Sequence, residues 1–500
     1  MTAALALAPI GVFIALLVGL RWSAAAAGLV AAAVAGVVAV RGFAYGPTLP
    51  LVLGPAMEAG FLSATILWII LPALAIHEYQ EKTGQTAQLA RWLSSVSNSP
   101  QIVVLLVAWF FAIFLEGAAG FGTPVALAAP MLVSLGFPAS KALLCALIGH
   151  AAGVSFGAVG TPIVPLLEAA AVDARTLSVL ILLLHAALGW SLALLLFRLA
   201  EAEGKQEASP SRFAAPIAAY LFFIPAGAFA VLAGPELPSL GGALIGAGLF
   251  VALARRRWSR RPQAGSVPAT VLIRAGLPYL LVLALILVTR LVGPVSETLR
   301  DVTTEWAFAV RFEGSIALLY HPGTMLVAAL LAAAAINRSK AAVLKASFAA
   351  AAARLPMVAL ALFAVLLMAR IMVHSGMIDA MAMAAERTLG TYWAFAVPLV
   401  GVLGSFVTGS ATTSNIIFAD FQVAAASATG LSANWALAGQ GFGSAIGNII
   451  APHNIVAGAA TVGLIGREGE ALKRTLPVCI LYAVAGGVLV YALSEAGLMQ

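Results

Sequence analysis

The chain carries the same interruption twice, 292 residues apart. Phe114-Leu-Glu-Gly-Ala-Ala-Gly-Phe-Gly-Thr-Pro124 falls on Phe406-Val-Thr-Gly-Ser-Ala-Thr-Thr-Ser-Asn-Ile416, and Thr83-Gly84 falls on Ser375-Gly376. Both copies are rich in Gly, Ser and Thr, and both sit inside long apolar runs. Backbone groups freed by such a break must be satisfied by protein, water or ligand at membrane depth, so a break at matching places in two halves points to a binding site.

The membrane setting follows from composition. Of 500 residues, 62% are apolar and only 9% charged, with a mean hydropathy of +1.03. A soluble chain carries roughly 25% charged residues. Repeated apolar stretches reach the roughly 20 residues that a helix needs to cross hydrocarbon. The alternation of a spanning barrel strand is absent, so the spans are helices. The reading is an all-α polytopic membrane protein with about 12–14 transmembrane helices, embedded in a lipid bilayer. The N-terminus is apolar from its third residue with no basic leader, and reads as an uncleaved first helix.

The net charge of +7 does not mark a nucleic-acid binder, because the basic residues gather at span ends. Arg255-Arg-Arg-Trp-Ser-Arg-Arg261 and Asn337-Arg-Ser-Lys340 read as cytoplasmic loops. Cys145 and Cys479 lie in apolar surroundings and read as buried small side chains. No cofactor is expected, and a Walker loop, zinc-ligand spacing and a nucleophile elbow are all missing from the sequence. An ion gradient is therefore the expected energy source.

The organisation read from the repeat is a first transmembrane unit over 1–199 with a re-entrant hairpin at 116–135. A linker over 200–321 carries two or three helices. A second unit over 322–500 has its hairpin at 405–428. Each hairpin is followed by a broken helix, at Gly160-Thr-Pro162 in one half and Pro452-His-Asn454 in the other. Counting spans from Leu199 to its counterpart at 491 gives eight crossings, an even number, whereas inverted repeats need an odd one.

Candidate site residues come from the breaks. Gly120, Gly122 and Thr123 in one tip, with Ser410, Thr412, Thr413, Ser414 and Asn415 in the other, offer amide and hydroxyl donors to a small carboxylate. His453, Asn454 and Arg370 join them, Arg370 because a guanidinium matches a carboxylate bidentately. Phe121, Ile416 and Phe418 are the expected apolar wall. Ionisable residues inside a span are functional candidates, so Glu116, His150 and Asp420 are taken as proton-coupling residues. Glu58, His77, His185, His374 and Asp379 are weaker candidates, expected at interfaces.

Four segments carry a resemblance to a known family. They are Glu116-Gly-Ala-Ala-Gly-Phe-Gly-Thr-Pro-Val125, Thr408-Gly-Ser-Ala-Thr-Thr-Ser-Asn415, Gly443-Ser-Ala-Ile-Gly-Asn-Ile-Ile-Ala-Pro-His-Asn-Ile455 and Ala460-Thr-Val-Gly-Leu-Ile-Gly-Arg-Glu-Gly469. In these, and in length and span order, the chain resembles the L-lactate permeases. The resemblance implies symport of a proton with a 2-hydroxymonocarboxylate: L-lactate, D-lactate or glycolate. It also implies paired hairpins and an elevator-type motion. Ala411 departs from the family pattern, which usually has Asp or Asn there.

A second carrier reading keeps the fold and changes the cargo to a dicarboxylate or another organic anion, with sodium in place of the proton. A membrane enzyme and a channel are the readings from other classes. The first lacks clustered catalytic motifs, and duplicated broken helices argue against the second. The oligomeric state is open, with a homodimer among the options.

Overall fold

The computed structural model describes residues 2–20, 22–46, 48–120, 122–201, 211–257, 268–309 and 312–498. Phe121 and the Trp258–Arg261 end of the basic run lie outside the described residues. Among the described residues, 11 helices are long and apolar enough to cross a membrane. Three shorter apolar helices, Thr2–Leu17, Thr123–Ser134 and Pro322–Ile336, accompany them. Helix is what such sequences allow, because a backbone in hydrocarbon must bond to itself.

Two long helices, Leu49–Lys82 and Ala341–His374, lie against each other. Both have 34 residues and both begin and end 292 residues apart. Ala24–Gly42 packs on the second and Pro322–Ile336 on the first. Small residues permit the approach, as where Gly28 faces the Ala364 methyl group and Gly323 the Trp68 carbonyl. Trp68 Nε1 donates to Thr324 Oγ1 at 3.0 Å. Each long helix ends at a left-handed glycine, Gly84 (φ 69°) or Gly376 (φ 80°), which turns the chain into an amphipathic helix, Gln85–Ser94 or Met377–Leu389.

A second bundle holds the breaks. The first hairpin descends over residues 100–118, with a π-type widening at Leu105–Phe111, and returns over Thr123–Ser134. The second descends over Trp393–Thr408 and returns over Ala411–Thr429. The helices over 100–118 and Trp393–Thr408 thus run straight into the turns that the sequence marks within 116–135 and 405–428. The returning limb Thr123–Ser134 has 12 residues and rises about 18 Å, too little to cross about 30 Å of hydrocarbon.

Each hairpin docks on the next helix through a glycine. Gly149 of Ala139–Gly149 lies under the Ala108 carbonyl, and Gly443 of Ala433–Gly447 lies under the Pro398 carbonyl. A side chain at either glycine would collide with backbone. Helices Ala174–Leu199 and Glu468–Glu495 complete the bundle, and linker helices Ala214–Ala233 and Pro238–Arg257 pack beside it.

One departure from an all-helical chain lies in the polar stretch before Pro322. Thr304–Phe308 pairs antiparallel with Phe312–Ile316, and Phe308 faces Phe312 across the register. Exposure alternates along Phe312–Ile316 and over the last four residues of Thr304–Phe308, the period of a half-covered strand. Phe312 is buried against Gly54, with its ring edge-on to His374 at 4.9 Å.

Candidate site between the hairpin tips

The second breaks set the floor of the site. After Ala139–Gly149 the chain tightens over Ala151–Phe156, then takes three successive left-handed residues: Ala158 (φ 41°), Val159 (φ 54°) and Gly160 (φ 82°). Such backbone is costly for a residue with a Cβ and persists only where the surroundings impose it. Here Thr161 Oγ1 donates to the Ala158 carbonyl at 2.6 Å, and Asn415 Nδ2 donates to the Pro162 carbonyl at 2.8 Å. The other break is a turn between Gly447 and Pro452. Asn454 Nδ2 closes it, donating to the Asn448 carbonyl at 3.1 Å and to Asn448 Oδ1.

The tips meet these floors. In the first, Gly120 (φ 61°) and Gly122 (φ 77°) supply the left-handed turns. Asn454 Oδ1 lies 3.3 Å from where a Cβ on Gly122 would stand. In the second, Gly409 (φ 73°) ends one limb and Ser410 caps the next, accepting from the Thr413 amide at 3.2 Å. Thr408 Oγ1 in turn accepts from the Ser410 amide at 3.2 Å.

Between the tips and floors is a cavity of ≈ 40 Å³. Glu116, Gly120 and Gly122 line it from the first hairpin, and Gly409 to Thr412 from the second. Val154, Gly157 to Ala158, Thr161 and Pro162 line it from one floor, and Asn448 from the other. The first amides of Ala411–Thr429 have no partner inside their own helix and carry partial positive charge. The hydroxyl groups of Ser410, Thr412 and Thr161 stand beside them. Glu116 is 6% exposed and lies against Gly157, which leaves no room for a Cβ. The arrangement can cradle a carboxylate with neutral donors and hold one carboxyl group beside it.

The structure sorts the sequence candidates. Glu116, Gly120, Gly122, Ser410 and Thr412 line the cavity, and Thr123 and Asn454 adjoin it. Ser414 does not face it: its hydroxyl donates to the Gly401 carbonyl at 2.9 Å and accepts from Gln440 at 3.3 Å, inside the hairpin. Asn415 Oδ1 accepts from Gln440 Nε2 at 3.2 Å, so this residue braces the bundle. Thr413 contributes its amide to the Ser410 cap. His453 is exposed, its Cβ against Gly409. Ile416 and Phe418 belong to the main core, because helical rotation turns them from the tip. Thr161 and Asn448 were missed as site residues, although each belongs to a break that the Pro and Asn spacing had marked.

Arg370 and Asp420 stand elsewhere. Arg370 Nη2 lies 4.0 Å from Asp420 Oδ2. Arg370 lines a wider cavity of ≈ 660 Å³ with Glu58, Glu168, Glu305 and Glu313, under the strand pair. His374 Nε2 is 2.7 Å from Glu58 Oε2 beside it. His150 is buried, with Nδ1 2.8 Å from the Ala146 carbonyl, and does not line the tip cavity. His185 is not at an interface. It is fully buried, 3.0 Å from Ser155 Oγ and 3.2 Å from the Tyr482 hydroxyl, because two helices of the bundle cross at its ring. His77 is buried near the end of its helix and Asp379 is exposed in the first turn of Met377–Leu389.

Known proteins share this plan. A family model described as L-lactate permease matches residues 2–496. The L-lactate permease of Streptococcus iniae is 31% identical over 382 residues, covering 74% of this chain and 79% of its own. That of Escherichia coli strain K12 is 28% identical over 478 residues, covering 85% and 83%. Among solved structures, MtrF of Neisseria gonorrhoeae, which illuminates a class of antimetabolite efflux pumps, has a TM-score of 0.54 at 14% identity. The match covers 96% of this chain and 97% of MtrF, and shows a shared fold. With the profile running through both hairpins and both broken helices, this multi-pass plasma-membrane protein belongs to the L-lactate permease family.

Proposed function

We propose that the chain carries L-lactate, and with it D-lactate and glycolate, across the bacterial plasma membrane together with a proton. The observation that carries this reading is the cavity where two broken tips meet, lined by neutral donors and by the single carboxylate Glu116. Among the described residues Glu116 has no ion-pair partner. A proton there and a carboxylate in the cradle would cross as a neutral pair, which avoids moving net charge through a low dielectric. Lactate needs donors for its carboxylate and hydroxyl and an apolar contact for its methyl group, and the lining offers each.

The transport motion would follow from two inverted repeats. With 391–404 taken as a hairpin limb, the eight crossings counted between Leu199 and 491 become seven. They are 214–233, 238–257, 269–291, 322–336, 341–374, the broken helix 433–461, and 468–495. Seven is odd, as inversion requires. With the basic run after Arg255 taken as cytoplasmic, the Glu116 hairpin would enter from the cytoplasmic side and the Ser410 hairpin from the outer side.

The test is uptake of labelled L-lactate into proteoliposomes under an imposed pH gradient, with and without sodium. Uptake that needs the inward proton gradient and is competed by glycolate supports the reading. Uptake that follows sodium, or competition only by dicarboxylates, replaces it with the second carrier reading. Glu116→Gln is expected to abolish gradient-driven uptake while keeping lactate–lactate exchange, since a neutral side chain mimics the protonated state.

A further inference from the structure

The cavity between the tips has one apolar face, and it is built from parts that do not belong to the main core. Val154, Ala411 and Ala445 form a separate buried cluster, at 2%, 4% and 0% exposure. They come from three elements: the tightened segment Ala151–Phe156, the first turn of Ala411–Thr429, and Ala433–Gly447. Val154 and Ala411 both line the cavity. Glu116 and the glycine backbone at 120 and 157 also border the cavity, and a Cβ on Gly157 would run into the Glu116 carboxyl group.

Resting on the reading of the cavity as the hydroxy-acid site, we propose that Val154 and Ala411 form the wall that reads the substituent on carbon 2, and so set the upper size of the acid carried. The polar rim fixes the carboxylate and the hydroxyl, which every 2-hydroxy acid has. Only the third substituent differs among glycolate, lactate and 2-hydroxybutyrate, and Val154 is the largest aliphatic side chain bordering the cavity. Ala411 is small enough to leave room for a methyl group, while Val154 resists anything longer. An apolar wall discriminates by about tenfold or somewhat more per methylene.

The experiment compares labelled-substrate uptake in proteoliposomes for glycolate, L-lactate and L-2-hydroxybutyrate. The wild type, Val154→Ala, Val154→Ile and Ala411→Val are each first shown to be monodisperse. Val154→Ala is expected to raise the uptake efficiency of 2-hydroxybutyrate relative to lactate by about tenfold. Val154→Ile and Ala411→Val are expected to shift the preference toward glycolate. Unchanged ratios in folded variants that still transport would overturn the wall while leaving the lactate reading intact. If the wild type carries none of the three acids, the functional reading fails first and the wall fails with it. Because the readout is a ratio between substrates, a general loss of packing at Val154 does not imitate it.

Discussion

The two hairpins share a plan and differ in chemistry. The first makes its tip from backbone: Gly120 and Gly122 take left-handed turns, and the one polar side chain it gives the cavity is the carboxyl group of Glu116. The second makes its tip from side chains: Ser410 caps a helix, Thr408 holds Ser410, and Ser414 and Asn415 tie the returning limb to its neighbours. One tip is therefore shaped by conformational freedom and the other by hydrogen bonds. The proposed division of labour follows, with proton chemistry on the pliant side and carboxylate binding on the braced side.

The feature the hairpins share should be the hardest to break. Gly149→Val and Gly443→Val each drive a side chain into a backbone carbonyl, at a cost of about 3 kcal/mol or more. Both variants are expected to be lost from the folded membrane fraction in fluorescence-detected gel filtration, and survival of either would mean that its hairpin is not docked this way. The difference between the tips appears next. Asn415→Ala removes a buried amide that bonds the Pro162 carbonyl and Gln440, at about 1–3 kcal/mol. Thr123→Ala, at the equivalent position 292 residues earlier, is expected to cost less, since its side chain has no bond among the described residues. Thermal unfolding of the two purified variants measures the gap, and equal losses would erase the contrast.

Gly122→Ala forces a Cβ into left-handed backbone beside Asn454, at roughly 1–2 kcal/mol. Uptake in this variant should fall further than its melting temperature alone would suggest. The smallest effect is expected at the cap. Ser410→Ala should cost about 1 kcal/mol and Ser410→Gly only a few tenths, because glycine tolerates the cap geometry. If both variants lose little stability yet raise KM for lactate alike, the hydroxyl group serves the substrate more than the helix.

Much of this plan was visible in the residues before any coordinates. The offset of 292 aligned Gly84 with Gly376, where left-handed helix ends demand glycine. Glu116 and Ser410 stood out as polar residues in apolar runs, and both line the cavity. What the residues did not reveal was direction. Thr412 and Ser414 are two apart on a helix and so point to nearly opposite sides, one to the cavity and one into the hairpin. Arg370 suited a carboxylate chemically, yet its helix carries it to the wider acidic cavity with Glu58 and Glu168. Val154 gave no signal at all, since one valine among many apolar residues shows nothing of the element it faces.

The two long helices have a consequence for the lipid beside them. From Leu49 to Ile76 the first carries Glu58 as its only charge over 28 residues. That stretch is about 42 Å long, against about 30 Å of hydrocarbon. A helix with such an excess lies aslant or thickens the bilayer beside it. Because the second long helix packs along it, the two would adjust their slope together when the acyl chains shorten or lengthen. The carrier should therefore sense membrane thickness, with turnover in proteoliposomes passing through a maximum as acyl-chain length is varied.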